Sequence, residues 1–165
     1  MPPGTGNFDT RALQLYDSPF MSVPSEIDTL RFALNASRLS GAIELRDMTR
    51  LHDLLSSQVG VVRWWIEGGV EAGRPVLRLG IDAQLSLICQ RCLGPCSHSL
   101  HSETALPIAR DEAELRQWES EDPLLDGLVA EPHQSVHDLI EDEVLLSLPV
   151  IAMHDEGACQ PVQAH

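Results

Sequence analysis

The segment LRLGIDAQLSLICQRCLGPC, residues 77 to 96, decides the fold of this 165-residue chain. In its first half, apolar and polar residues alternate with a period of two. The apolar positions are Leu77, Leu79, Ile81, Ala83, Leu85 and Leu87. Because successive side chains of a strand point to opposite faces, this pattern predicts a long strand with one buried and one solvated face. The strand leads directly into the motif Cys89-Gln90-Arg91-Cys92.

The neighbouring segments predict two further strands that pair with this one. An apolar run that includes Trp64 and Trp65 precedes it, and a turn near Gly73 connects the two. Alternation resumes after Cys96, where one predicted face carries Leu100, Thr104, Leu106 and Ile108. The Cys-x-x-Cys motif is therefore expected at the tip of a long hairpin.

Three helices are predicted from apolar spacing and from their end signals. Ser25 and Ser135 are candidate N-caps, each followed three residues later by an aspartate, and Asp47 is a third candidate. Pro149 ends the last helix, because the residue before a proline disfavours the helical conformation. The predicted fold class is α+β, with an antiparallel sheet built on a long hairpin and packed with two to four α-helices. The predicted strands are 59–70, 75–88 and 98–109, and the predicted helices are 25–37, 47–57 and 135–148.

The chain is expected to form one domain. Residues 1–19, which contain three prolines and two glycines, predict a flexible lead-in. Residues 20–160 form the domain, with an acidic surface excursion at 110–134, and residues 161–165 form a tail. No apolar run is long enough to span a bilayer, and the first residues lack the pattern of a signal peptide. A cytoplasmic protein with reduced thiols is expected.

Charge limits the class of partner. The chain has 25 acidic and 11 basic residues, and its net charge is −14. Such a chain repels a phosphate backbone, so a basic protein surface is a more natural partner than bulk RNA. Solubility alone also explains the acidity.

Five residues are candidate partner contacts. The acidic run Glu141-Asp142-Glu143 is expected on a solvated helix face. Trp64 and Trp65 must point to opposite faces of their strand, so one of them could anchor a partner. Coverage of that tryptophan by another element is the favoured interpretation.

The cysteines predict a possible zinc site. Cys89 and Cys92 can supply two thiolates from one turn, which is half of a tetrahedral site. His154 and Cys159, in a short loop after the last helix, can supply the other half, which leaves Cys96 as a spare. Reduced cysteines packed together and thiol-disulfide chemistry are the alternatives. No nucleophile elbow, phosphate loop or catalytic triad signature is present, so no catalytic residue is predicted.

The order of these motifs resembles the large ribosomal RNA subunit accumulation protein family (YceD-like). The likeness covers about residues 25–160 and rests on the strand, Cys89-Gln90-Arg91-Cys92, the acidic excursion, the helix segment DLIEDEVLLSLP ending at Pro149, His154 and Cys159. It implies a non-enzymatic bacterial factor that supports accumulation of large-subunit ribosomal RNA. The cysteines and the histidine fall on the family's Cys-x-x-Cys and its terminal His and Cys, whereas Cys96 lies outside that pattern.

Three functions follow. The first is an assembly factor for the large ribosomal subunit, acting as an acidic protein-binding module. The second is a thiol-disulfide oxidoreductase that uses Cys89 and Cys92. The third is a zinc-stapled adaptor with no connection to ribosomes.

Overall fold

The structure is a computed structural model, and it describes residues 23–159. The predicted lead-in at 1–19 and tail at 161–165 lie outside the described residues. In chain order the elements are β1 (Glu26–Ile27), α1 (Thr29–Leu34), β2 (Arg38–Glu44), two 3₁₀ turns (Leu45–Asp47 and Thr49–Leu51), β3 (Val61–Glu71), β4 (Arg74–Ile88), β5 (Pro95–Ala109), α2 (Glu112–Glu121), β6 (Leu128–Val129), β7 (Gln134–Ser135) and α3 (Val136–Ser147). The predicted α+β class is confirmed.

The main sheet has the strand order β2-β3-β4-β5-β6. Its first four strands are antiparallel and β6 joins β5 in parallel, while β1 and β7 form a separate two-stranded sheet. Ala72 and Gly73 connect β3 to β4, with φ angles of 49° and 76°. Two successive left-handed residues match the twist of the flanking strands, so the predicted hairpin is confirmed.

The inner face of the sheet carries the core. All six alternating apolar positions of β4 are at most 3% exposed, as the period of two predicted. In β5, Leu100, Leu106 and Ile108 share this face through their cross-strand pairing. Side chains of α1, α3 and the 3₁₀ segment pack into the same cluster. The layer of helices and turns therefore covers one side of the hairpin.

The first helix is shorter than the predicted 25–37. Asp28, not Ser25, caps it by accepting a 2.9 Å hydrogen bond from the backbone N–H of Arg31. The chain then turns through Ala36, with φ 50°, into strand β2, which the sequence analysis missed. Gly68 of β3 permits this crossing, because a Cβ at that position would lie 2.2 Å from the carbonyl oxygen of Phe32.

The predicted helix at 47–57 is wrong. Residues 45–51 form the two 3₁₀ turns, and the chain then pairs with the end of β4. Ser56 N–H donates to the Ser86 carbonyl at 2.8 Å, and Ile88 N–H donates to the Leu54 carbonyl at 3.0 Å. The pairing of β3 with β4 ends at Ala83, so a continued helix would leave these backbone groups of Ser86 and Ile88 without partners.

The acidic excursion at 110–134 contains helix α2, which Asp111 caps through the N–H of Glu114 at 2.8 Å. Trp118 is 8% exposed and lies under the guanidinium of Arg74, 4.5 Å from the ring centroid. This stretch therefore adds a packed element to the sheet.

Helix α3 is confirmed with its predicted cap. The Ser135 hydroxyl accepts a 3.1 Å hydrogen bond from the N–H of Asp138. The predicted core stripe is buried, and consists of Val136, Leu139, Ile140 and Val144. Within residues 23–159, no helix has the length and apolar character needed to cross a membrane.

Candidate metal centre

The hairpin tip, residues 89–94, holds two of the predicted ligands in a tight turn between β4 and β5. Cys89 N–H donates to the Gly94 carbonyl at 2.9 Å, and Leu93 N–H donates to the Cys89 carbonyl at 2.8 Å. Leu93 has φ 59°, the left-handed conformation that closes the turn. Cys89 is fully buried and Cys92 is half-buried. Both sulfurs therefore lie on the inner side of the tip.

The C-terminal loop, residues 149–159, brings the other two ligands from the end of α3. Gln90 N–H donates to the Ala152 carbonyl at 2.8 Å, which fastens the loop to the hairpin tip. His154 Nε2 lies 2.8 Å from the Pro95 carbonyl oxygen. The loop then turns at Gly157, which has φ 83°, and returns Cys159 to the tip.

The four predicted ligands lie together, with one ligand atom from each of them within 4.8 Å of the others. The Cys89 and Cys159 sulfurs are 3.7 Å apart. His154 Nδ1 is 3.5 Å from the sulfurs of both Cys92 and Cys159. For zinc bonds of about 2.3 Å to sulfur and 2.0–2.1 Å to nitrogen, a tetrahedron has edges of roughly 3.8 Å and 3.6 Å. The cluster fits a metal ion of that size.

The hydrogen bond of His154 orients its ring for this role. A carbonyl oxygen can only accept, so Nε2 carries the proton that is donated to Pro95. Nδ1 then keeps its lone pair and faces the sulfurs. A backbone carbonyl on the second nitrogen is the usual support of a histidine that binds a metal.

Local amides favour negative charge at the centre. The N–H of Cys92 contributes most to lowering the pKa of Cys89 from its ordinary value of 9.0 to about 5; burial acts in the opposite direction, and the N–H groups of His154 and Arg91 add to the lowering. Burial raises the pKa of Cys159, and the sulfurs of Cys89 and Cys92 raise it further. The cluster therefore favours the thiolate form of Cys89 and disfavours a further negative charge on Cys159. A bound cation would offset the repulsion between these thiolates.

Cys96 lies outside this cluster, as predicted. It pairs with Leu87 across the β4–β5 ladder and is 8% exposed. Within the described part of the chain, a second group of potential ligands comprises His137, Asp138 and Glu141. Its ligand atoms already have protein partners, since His137 Nε2 is 3.2 Å from the Asp47 carbonyl and Glu141 accepts from a backbone N–H. We assign no metal site there.

The acidic run of α3 is not the solvated face that the sequence predicted. Glu141 is 2% exposed and accepts a 2.9 Å hydrogen bond from the N–H of Arg50. Glu143 is 6% exposed and faces β5. Asp142 is exposed and forms an ion pair with Arg50 at 2.5 Å. Of the three predicted partner contacts on α3, only Asp142 remains at the surface.

Two inward-facing hydroxyls on β5 explain the burial of Glu143. Its Oε1 accepts from Ser102 at 2.9 Å and from Thr104 at 2.5 Å, with Ser147 at 3.3 Å. Helical periodicity alone could not reveal this. The signal was present in β5, where Ser102 and Thr104 interrupt an apolar face and require a polar partner.

The tryptophans point to opposite faces, as predicted. Trp64 is 5% exposed and belongs to the core, so it is not available as a surface anchor. Trp65 is half-buried on the outer face, where its ring lies over Gly80 and occupies the place that a Cβ would take. Trp65 is therefore the only one of the pair that a partner could reach.

A protein-family model described as Large ribosomal RNA subunit accumulation protein YceD matches residues 77–165. The matched region contains most of β4, all of β5 and α3, and all four residues of the candidate metal-binding cluster. No solved structure matches the chain.

Proposed function

We propose that this chain is a cytoplasmic, non-enzymatic factor in assembly of the large ribosomal subunit. The chain belongs to the YceD family of large ribosomal RNA subunit accumulation proteins. The family name supports a role in accumulation of large-subunit ribosomal RNA, and the resemblance predicted from the sequence is confirmed. The observation that carries the proposal is the extent of the match. It covers half of the chain and includes the hairpin, the last helix and the clustered cysteines and histidine.

The proposed mode of action is binding to a basic protein. A net charge of −14 disfavours contact with bare phosphates and favours a cationic partner, such as a basic ribosomal protein or another assembly factor. Asp142 and Trp65 are the accessible members of the predicted contact set. Direct contact with ribosomal RNA is not required by this proposal.

The metal that we propose for the centre is zinc. Three thiolates and one imidazole form a closed, four-coordinate donor set, which is typical of structural zinc and leaves no open position for catalysis. Zinc bound there would tie the hairpin tip to the C-terminal loop. Cys89, Cys92 and Cys159 would supply the sulfurs and His154 would bind through Nδ1. Elemental analysis of reduced protein, purified without chelators, is expected to give about one zinc per chain; protein without metal would refute this assignment.

A deletion strain tests the assembly role. We expect a deficit of large subunits in its ribosome profile and accumulation of precursor large-subunit RNA. Expression of the wild-type chain should reverse both changes, while a variant lacking the thiols of Cys89 and Cys92 should do so poorly. A deletion strain with normal subunits and normally processed RNA would rule out the assembly function.

A thiol-disulfide oxidoreductase remains the second candidate, favoured by the lowered pKa of Cys89. Two observations count against it. Cys89 is fully buried, and the motif opens a turn into β5 where a redox motif normally opens a helix. Reduction of a model disulfide by the metal-free protein, lost in Cys89→Ser, would support this function. Affinity capture separates the third candidate, a zinc-stapled adaptor, by recovering partners that are not ribosomal.

A further inference from the structure

An open groove of about 580 Å³ runs beside the metal centre. It is lined by the end of the hairpin, the last turn of α3 and the first residues of the C-terminal loop. Its lining residues are Leu54, Leu87, Ile88, Gln90, Leu145, Leu146, Leu148, Pro149, Val150, Ile151 and Ala152. All but Gln90 have apolar side chains or are proline, and polar atoms form part of the exposed surface between them.

Four of the exposed apolar side chains of the described residues line this groove. Val150 is fully exposed, Leu146 is 78% exposed and Ile151 is 56% exposed. Leu54, at 42%, lines the same groove, and Met153, at 45%, follows the lining segment in sequence. A contiguous apolar patch on a folded chain is typical of a binding site for another macromolecule, whereas isolated exposed leucines need no explanation.

Carboxylates flank this surface in the chain. Asp53 precedes Leu54 directly, and Asp155 and Glu156 follow two and three residues after Met153. All three are exposed, and none of them forms an ion pair with another of residues 23–159. Because each lies within three residues of an exposed apolar side chain of this surface, they bring negative charge near the groove, while Arg91, 3.9 Å from the Met153 sulfur, brings a positive charge.

We propose that this groove is the docking site for a cationic amphipathic segment of a protein partner. Apolar side chains of the segment bind between Leu54 and Leu146, and its Lys or Arg side chains face the carboxylates at the ends. This inference rests on the proposed function, since it identifies the surface through which the factor holds a basic protein. The C-terminal loop forms one wall of the groove and also carries His154 and Cys159, so zinc bound at the centre would fix the shape of that wall.

A labelled peptide of about 14 residues, or four helical turns, with leucines on one face and lysines on the other, is the probe. Fluorescence anisotropy with the full-length, zinc-loaded chain should show saturable binding that weakens as salt increases. A scrambled peptide of the same composition and a leucine–glutamate peptide should bind at least about tenfold more weakly, or 1.4 kcal/mol. Equal binding of the scrambled peptide would overturn the proposal.

Three substitutions make the test specific. Leu146→Glu and Val150→Glu change side chains that are already solvated, so the fold should tolerate them, and each is expected to weaken binding by at least about tenfold. Leu124→Glu changes a side chain that is 93% exposed between α2 and β6, and it should leave the affinity unchanged. If all three variants bind as the wild type does, the groove is not the site.

Other occupants give different results. If the wild type is a dimer that Leu146→Glu converts to a monomer in sedimentation experiments, a second copy fills the groove and the proposal fails. It also fails if Leu13→Glu with Leu15→Glu strengthens peptide binding, because the chain's own first segment then occupies the groove.

The two proposals can fail separately. Peptide binding is measured on the purified chain, and the assembly function is measured in the deletion strain. A strain with an assembly defect that the Leu146→Glu chain fully corrects would overturn the groove and leave the assembly role intact. Specific peptide binding together with a deletion strain without any defect would overturn the assembly role and leave the groove intact.

Discussion

Replacing Glu143 with alanine is expected to lower the free energy of unfolding by roughly 3–5 kcal/mol, since buried hydrogen bonds to a charged group contribute about 1.5–3 kcal/mol each. The carboxylate accepts two short bonds, from Ser102 and Thr104, and a longer one from Ser147. Within residues 23–159 it has no ion pair with a basic side chain. The hydroxyls of β5 are therefore its main stabilising partners, and alanine would leave these half-buried groups without their acceptor.

The two bonds to β5 contribute less than two independent bonds would, because they share one oxygen, Oε1. The 3.3 Å bond from Ser147 adds little, since it is long and within the same helix. Glu143→Gln keeps an acceptor oxygen but loses the charge, so a cost of about 1–2 kcal/mol is expected. Asp142→Ala is the matched control on the adjacent position. Its side chain is half exposed and ion-paired, which predicts a cost of about 0–1 kcal/mol.

Urea denaturation of the zinc-loaded protein measures these differences, and a double-mutant cycle isolates the interaction. Ser102→Ala with Thr104→Val removes the donors while conserving volume. Combined with Glu143→Ala, this change should show a coupling of about 2–3 kcal/mol. Additive effects, or a Glu143→Ala cost no larger than that of Asp142→Ala, would show that the carboxylate does not hold α3 against β5.

Three further outcomes are expected. Cys89→Ser should lose the bound zinc and accelerate amide exchange in both the hairpin tip and the C-terminal loop, because metal binding and local folding are coupled. The control, Cys96→Ser, should retain the zinc. Faster exchange confined to the tip would contradict the shared site. In metal-free protein, thiolate absorbance should persist as the pH falls from 9 towards the Cys89 pKa of about 5. The folded Cys89 thiol holds its proton less tightly than the unfolded one, so the stability of the metal-free protein should decrease as the pH is lowered over the same interval. Loss of the thiolate absorbance already near pH 9 would refute this. Gly68→Ala should cost about 1–3 kcal/mol through overlap with the carbonyl of Phe32, whereas Gly69→Ala, with nothing within 4 Å, should be mild, so equal melting temperatures would exclude the close approach.

The part of the fold that could be predicted from sequence is the part with a strict period. The alternation of β4 was sufficient to place its buried face, and the position of Cys89 directly after it placed the motif at the hairpin tip. The capped helix α3 followed from Ser135 and Pro149 in the same way. Each of these elements is determined by residues close in sequence. The two ligand pairs, Cys89 with Cys92 and His154 with Cys159, were assigned to one site only because thiolates and imidazole are typical zinc ligands.

The errors have a different origin, since they depend on backbone and side-chain hydrogen-bonding groups far away in the chain. Residues 47–57 carry a helical stripe of leucines, but the exposed edge of β4 offers hydrogen bonds that a helix would waste. Strand β2 was missed although Leu39, Gly41 and Ile43 alternate, because its pairing partner, β3, begins only at Val61. Glu143 was placed in solvent because its partners lie 39 and 41 residues earlier in the chain.

We expect the groove to depend on the metal centre, but not the metal centre on the groove. The C-terminal loop has no regular secondary structure. It contacts the tip through the backbone bond from Gln90 to Ala152, the His154 contact with Pro95 and the Arg91 guanidinium, 3.9 Å from the Met153 sulfur. Removal of zinc by a chelator should therefore loosen a wall of the groove and weaken peptide binding by at least about tenfold. Leu146→Glu lies outside the ligand set and should abolish docking without releasing zinc. If chelation leaves peptide binding unchanged, the wall is held by the protein alone, and the ion has a role other than shaping the docking site.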